Sequence, residues 1–279
     1  MTTTTFPITF VDDKPVSQVP AQDRGLAYGD GVFETILVSN ADMPFWSYHH
    51  GRLLKGLHGL KINLESQRLR AAIDKALAVI KDLPEQYYIL KCIVTRGTGG
   101  RAYQFSRGTP TLVCHIFPYE MDTLKHNGVS VHLCQETLAE GISWAGLKTL
   151  NQLPYVLAAQ ERLNTPFDEG LLMSLNGYII EATARNIFYS KDEVLFTPQL
   201  NLCGVAGVMR HYIIEKVAPQ LKIDVREQRF TVDDLLAGDE VFLCNSVSGI
   251  WPVVQLDQHH WPIGPITRSI QAMCHANFL

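Results

Sequence analysis

The sequence predicts an α+β fold, and three observations carry the prediction. Strand and helix signals are mixed without the regular βαβ alternation of a doubly wound parallel sheet. Residues 1–120 read as a small N-terminal α+β domain, in which strands flank a pair of amphipathic helices. Residues 121–279 turn strongly to β structure with flanking helices, and the polar, turn-rich stretch YEMDTLKHNG joins the two domains. A chain of 279 residues with 46% hydrophobic content can bury the cores this requires.

In order along the chain, a strand is expected near Ile8 to Val11 and another from Gly31 to Val38. Arg52 to Leu64 places Leu53, Leu57 and Leu60 at helical spacing, and Ser66 is positioned to cap a second helix carrying Leu69, Ile73, Leu77 and Ile80. Strands follow over Tyr87 to Thr95 and Thr111 to Phe117, separated by the glycine-rich TRGTGGRAYQFSRG. The second half opens with the alternating strand VSVHLC and a helix from about Asn151 to Leu163. In LLMSL, Asn176-Gly177 and YIIEAT the dipeptide predicts a hairpin with the two positive φ angles of a type I′ turn. A strand pair surrounds Lys191-Asp192-Glu193, a helix starts near Val205, and EVFLCN and IWPVVQL close the β-rich half.

Composition narrows the partners. Net charge is −4, and the basic residues are scattered rather than gathered into a stripe that could track phosphates, so nucleic acid is not expected. The opening MTTTTFPITF lacks the charged and apolar regions of an export signal, and no apolar run approaches bilayer length. A cytoplasmic protein without a membrane partner is expected. Cys92, Cys114, Cys134, Cys203, Cys244 and Cys274 are widely spaced and sit mostly in apolar runs, which predicts buried reduced thiols rather than a disulfide framework or a metal site.

Six segments have the makings of chemistry. DRGLAYGDGVFET concentrates glycines as at a turn entering a strand, and lacks the context of a nucleotide-binding loop. Arg52, expected at the start of its helix, offers a guanidinium that would hold a phosphate if turned inward. Near Gly97, Gly99 and Gly100, Arg101 is a candidate carboxylate clamp. Lys148 stands among apolar neighbours, which disfavour its charged form and make the amine a better nucleophile and base. Glu181 falls on an inward strand face, where a carboxylate needs a partner such as a protonated pyridine nitrogen. LCGVAGVMR joins glycines to a helix start, which favours an anion. Taken singly, each also has a purely structural reading: a surface arginine, a snorkelling lysine, a connecting loop.

Together, and in this order, DRGLAYGDGVFET, HHGRL, TRGTGGRAYQF, LKTLNQL, NGYIIEATARNIF, GVAGVMR and NSVSGIWPV resemble the fold-type IV, or class IV, aminotransferases, which depend on pyridoxal 5'-phosphate (PLP). The resemblance covers nearly the whole chain. It implies that Lys148 is the Schiff-base lysine and general base, and that Glu181 faces the ring nitrogen. Arg52, the backbone N–H groups of Val208 and Met209, and Ser246 would hold the phosphate. Tyr28, Phe33 and Arg101 would position the amino-bearing substrate, and a homodimer is expected. Within the family, GVAGVMR and LKTLNQL look most like the lyase branch, which converts 4-amino-4-deoxychorismate to 4-aminobenzoate and pyruvate in folate biosynthesis. The alternative is transamination of D-amino acids or branched-chain amino acids. Phe33 stands where the D-amino-acid enzymes usually place a tyrosine, and Tyr103 where they have a histidine.

Overall fold

Period-two alternation sets the first sheet of the computed structural model, which describes residues 6–100, 102–104, 108–163 and 165–276. The chain divides into two units, Met1–Met121 with Leu147–Asn151, and Asp122–Gly146 with Gln152–Leu279. The first contains β1 (Ile8–Val11), α1 (Arg24–Tyr28), β2 (Gly31–Ser39), α2 (Trp46–Gly59), α3 (Ser66–Lys81), β3 (Tyr87–Thr95) and β4 (Thr111–Pro118). Its strands form an antiparallel sheet in the order β1-β4-β3-β2. Every second residue, among them Val32 and Ile36 of β2, Leu90, Cys92 and Val94 of β3, and Leu112, Cys114 and Ile116 of β4, enters one core. There they pack with Leu53 and Leu57 of α2 and Leu69, Ile73, Ala76 and Ile80 of α3. Each such Leu or Ile stabilises the unit by roughly 1.5–3 kcal/mol.

The second unit contains β5 (Val129–Leu138), α4 (Leu153–Arg162), β6 (Glu169–Ser174), β7 (Ile179–Ala182), β8 (Asn186–Lys191), β9 (Val194–Thr197), α5 (Val208–Tyr212) and α6 (Ala218–Leu221). A π-helical turn at Ile213–Val217 joins α5 to α6. Next come β10 (Val225–Glu227), α7 (Val232–Leu236), β11 (Glu240–Asn245), β12 (Gly249–Leu256), β13 (His259–His260) and α8 (Pro265–His275). One nine-stranded mixed sheet runs β10-β9-β8-β11-β12-β5-β6-β7, with β13 paired to β12. The pairs β10/β9, β12/β5 and β5/β6 are parallel. No described helix is long and apolar enough to cross a membrane.

Several local expectations need correction. α2 starts six residues before Arg52, at Trp46, so Arg52 lies in its second turn rather than at its start; the buried His49 continues the inward stripe that the leucines alone suggested. Ser66 is the first helical residue of α3, and Glu65 takes the extended cap position. The helix expected from Asn151 begins at Leu153, because Leu150 and Asn151 are bonded to Gly31 and Gly29. The helix expected near Val205 begins at Val208, because the Val205 N–H is taken by Glu181. A short helix, α1, occupies part of the segment read as a turn; Asp23 caps it, and Gly29 ends it at φ 64°.

The Asn176-Gly177 hairpin is not type I′. Only Gly177 has positive φ (81°), its N–H donates to the Ser174 C=O (2.9 Å), and the Ser174 N–H donates to the Tyr178 C=O (2.8 Å). This is a three-residue loop closed by a left-handed glycine. Two successive positive φ angles occur instead at Asp12-Asp13 (49° and 62°), Asn40-Ala41 (50° and 61°) and Asp192-Glu193 (49° and 63°). Each pair lies between directly bridged residues, Val11 and Lys14, Ser39 and Asp42, and Lys191 and Val194. Strand twist, more than turn-residue chemistry, selects the turn at these three places.

Candidate active site

In the first unit, main-chain pairing holds the Lys148 segment against the start of β2. The Phe33 N–H donates to the Lys148 C=O (3.1 Å), the Leu150 N–H donates to the Gly31 C=O (2.9 Å), and Thr149 bridges Val32. Asn151 Nδ2 donates to the Gly29 C=O (3.0 Å). The backbone around Lys148 is thereby fixed, and its flanking residues Leu147 and Thr149 are buried. The ammonium lies 4.4 Å from the centroid of the Phe33 ring, within cation–π range.

Alternation turns Glu34 to the core face of β2, where an unpaired carboxylate would be costly. α2 answers it with residues three apart. His49 Nδ1 donates to Glu34 Oε2 (2.6 Å), and Arg52 donates through Nε to Oε1 (2.8 Å) and through Nη2 to Oε2 (2.5 Å). Burial by itself would raise the Glu34 carboxyl, but the charge and hydrogen bonds of Arg52, with the His49 hydrogen bond, bring it down to about 2. Burial lowers His49 below the ordinary imidazole range, against the pull of Glu34, and the charges of Arg52 and Lys148 push it further the same way. His49 is therefore neutral, with its proton on Nδ1. The fork of Arg52 is held in a fixed plane by two of its five N–H donors.

A second ionic cluster shapes the glycine-rich loop. Asp30 receives Arg24 Nε (2.9 Å) and both Nε (2.8 Å) and Nη2 (2.9 Å) of Arg96. Arg24 also donates to the Ala102 and Gln104 carbonyls (3.2 and 3.1 Å), which follow the candidate clamp along the chain. Arg101 itself lies outside the described residues. Tyr28, at the end of α1, is exposed, with Arg24 Cζ 4.8 Å from its centroid and the Tyr103 ring at 5.8 Å.

In the second unit, Glu181 is buried on β7 and met by three neutral donors. Tyr155 Oη (2.5 Å) and the Val205 N–H (2.9 Å) reach Oε1, and Asn186 Nδ2 (3.0 Å) reaches Oε2. Burial first, then the charge of Glu181, holds the Tyr155 phenol far above its usual range, so it stays an O–H donor. Val208 and Met209 open α5 and are both buried, and Gly207 caps the helix without a side-chain bond. α5 packs on β11, which leads into the turn holding the buried Ser246. Asn245 Oδ1 organises that turn by accepting from the Val247 and Ser248 N–H groups (3.0 and 2.8 Å).

The model of one protein family, described as amino-transferase class IV, matches residues 31–256 of this chain. The chain belongs to the class IV aminotransferases. Aminodeoxychorismate lyase of Vibrio harveyi is 34% identical over 94% of this chain and 97% of its own length. The crystal structure of 4-amino-4-deoxychorismate lyase from Pseudomonas aeruginosa superposes with a TM-score of 0.90 at 36% identity, covering 96% of this chain and 98% of that one. D-alanine aminotransferase of Bacillus licheniformis is 26% identical over 94% of this chain and 92% of its own length. The fold is therefore the fold-type IV arrangement expected from the motifs.

Class IV aminotransferases use PLP, and the side chains here fit it. A conformationally pinned lysine sits beside an aromatic ring, and a buried carboxylate is held by donors alone. The first N–H groups of α5 lack a side-chain cap, which leaves them the donor chemistry that a phosphate takes. The motif reading missed Glu34, His49, Tyr155 and Asn186. Glu34 was legible in principle, as a charge at an inward position of the strand GVFETILVS; the other three depend on which helix or strand packs where.

Gly207 is required by its surroundings, since a Cβ there would stand 1.8 Å from Asn186 Oδ1. Asn186 cannot yield cheaply, because its amide also donates to the Val205 C=O (2.9 Å). Gly207→Ala is expected to cost roughly 1–3 kcal/mol in lost hydrogen bonding and to weaken PLP binding about tenfold or more, read by absorbance titration of the purified chain.

Proposed function

We propose that this class IV enzyme converts 4-amino-4-deoxychorismate to 4-aminobenzoate and pyruvate, a step of folate biosynthesis. The observation that carries the reading is likeness over the whole chain: two lyases match at 34% and 36% identity, against 26% for the D-alanine aminotransferase.

Lys148 is assigned as the lysine that bonds the cofactor. When bound, PLP supplies a sink for the electron pair left on the carbon that bears the substrate nitrogen. With the cofactor bound, the Lys148 amine would be the base that takes the proton from that carbon. Loss of this proton and of the enolpyruvyl ether makes the six-membered ring aromatic, and protonation of the departing enol gives pyruvate. Glu181, which accepts from Tyr155, Asn186 and the Val205 N–H, is assigned to the cofactor's ring nitrogen. Arg52, the N–H groups of Val208 and Met209, and Ser246 are assigned to the phosphate, and Tyr28, Phe33 and Arg101 to the substrate.

We further read the protein as a cytoplasmic homodimer without a nucleic-acid partner. Six buried free thiols suit a reducing compartment. Leu153, Val156 and Leu157 form an exposed apolar face on α4 suited to a second copy, Leu153 being 66% exposed.

The test is direct. Purified protein given enzymatically made 4-amino-4-deoxychorismate is expected to release equal amounts of 4-aminobenzoate and pyruvate with no keto-acid added. Transamination, favoured by the similarity to D-alanine aminotransferase, instead requires a keto-acid acceptor and leaves the cofactor as its amine. Rapid transfer from D-alanine with no release of 4-aminobenzoate would reverse the ranking.

A further inference from the structure

His132 and Cys134 are two residues apart on β5 and so share a face of the sheet. α4 lies on that face, with Ala158 and Cys134 in one apolar cluster. One helical turn beyond Ala158, Glu161 reaches the same strand. Its carboxylate accepts the Gln135 N–H (2.7 Å) and the Glu136 N–H (2.8 Å), where the β5/β6 register shifts. The His132 imidazole donates through Nδ1 to the Leu133 C=O (3.2 Å), which leaves the lone pair on Nε2. That nitrogen is buried and has no hydrogen-bond partner among the described residues; His132 is 7% exposed and Cys134 is 3% exposed.

These groups converge. A ring nitrogen of His132, Cys134 Sγ and a Glu161 oxygen all lie within 4.8 Å of one another. Gly170 keeps the adjoining space open, since a Cβ there would stand 2.4 Å from Cys134 Sγ and 3.2 Å from His132 Nε2. An imidazole whose far N–H is held by a backbone carbonyl, and a carboxylate fixed by backbone donors, are the outer-shell supports of a metal site. Mixed nitrogen, sulfur and oxygen donors favour zinc-like cations over magnesium or calcium.

We propose that His132, Cys134 and Glu161 bind one zinc-class divalent cation, which clamps α4 to β5. Zinc bonds of about 2.0–2.3 Å require the three side chains to close by about 1 Å, a movement open to χ rotation. The Cys134 thiol gives its proton to solvent as the sulfur–metal bond forms. The carboxylates of Glu161, Glu169 and Glu136 surround that thiol with negative charge, which attracts a cation. None of the three ligands belongs to the set assigned to PLP or substrate, so the site stands apart from the proposed reaction.

The full-length chain carrying PLP, stripped with EDTA, is titrated with Zn²⁺ against a chromophoric chelator and separately with Co²⁺. The expected result is one ion per chain, a sulfur-to-cobalt charge-transfer band, and a higher Tm with Zn²⁺. Cys134→Ser should abolish the band, and His132→Gln and Glu161→Gln should each weaken Zn²⁺ binding by about tenfold or more. A variant that does not fold is replaced by a measurement on the unaltered chain, in which saturating Zn²⁺ should protect Cys134 from alkylation, as read by peptide mass. Absence of binding, a band that survives Cys134→Ser, or an unprotected Cys134 at saturation overturns the assignment.

Discussion

Lys148→Ala is expected to abolish covalent capture of PLP and to lower turnover of 4-amino-4-deoxychorismate by at least about 10²–10⁴-fold, the contribution of positioned proton transfer alone. The change should leave folding intact, because main-chain atoms, the Lys148 C=O and the Leu150 N–H, pin this segment to β2. Two comparisons make the result specific. Lys148→Arg keeps a cation beside Phe33 but offers no amine that can bond the cofactor, so it should be as inactive as the alanine variant. Lys91 is a second amine near the same ring, 5.3 Å from its centroid against 4.4 Å for Lys148, and Lys91→Ala should retain activity. Borohydride reduction followed by peptide mapping reads the outcome directly. A label on Lys91 or any lysine other than Lys148 would end the proposed chemistry.

Glu34→Gln carries the largest expected cost in stability, about 3–5 kcal/mol, the usual penalty for removing one partner of a buried ion pair. Glu34 is 1% exposed and Arg52 12%, so the variant removes the counter-charge of a guanidinium with little access to water. The pH dependence gives an independent check. The Glu34 carboxyl lies at about 2 in the folded chain against an ordinary 4.5. A lowered folded-state value means the contribution is complete above about 4.5 and is lost as pH falls toward 2, a change on the order of 3 kcal/mol. Urea unfolding at pH 7 and pH 3 should therefore show a steep loss in the natural chain and a flatter profile in Glu34→Gln. An equal loss in both would show that Glu34 is not the group responsible. Because the same carboxylate orients Arg52, the variant should also bind PLP more weakly.

How much of this was legible differs from element to element. β1, β2, β3 and β4 were readable because alternation of β-branched and aromatic residues with polar ones repeats over whole strands. Helix ends were less readable, since a terminus is decided by what satisfies its orphan N–H and C=O groups. Asn151 could have been helical by propensity, but its amide is committed to Gly29. Asn176-Gly177 has the composition of a type I′ turn, yet Ser174, Gly177 and Tyr178 form a wider loop, and two acidic residues adopt the I′ geometry at 192–193. Lys148, Glu181, Arg52, Val208, Met209 and Ser246 were all picked out from motif order. The structural partners of three of them, Phe33 for Lys148, Glu34 for Arg52 and Tyr155 for Glu181, lie 18 to 115 residues away along the chain and were beyond any local pattern.

Taken alone, the amino-acid order determined the fold class and the family and singled out Lys148 as the lysine proposed to bond the cofactor, because periodicity and motif succession are written locally, residue by residue. Only the tertiary structure decided that residues 147–151 join the first unit, that Glu34 faces His49 and Arg52, and that His132, Cys134 and Glu161 meet. The physical reason is that the field felt by a buried charge or lone pair is set by atoms distant in sequence, which chain folding alone brings within a few ångströms.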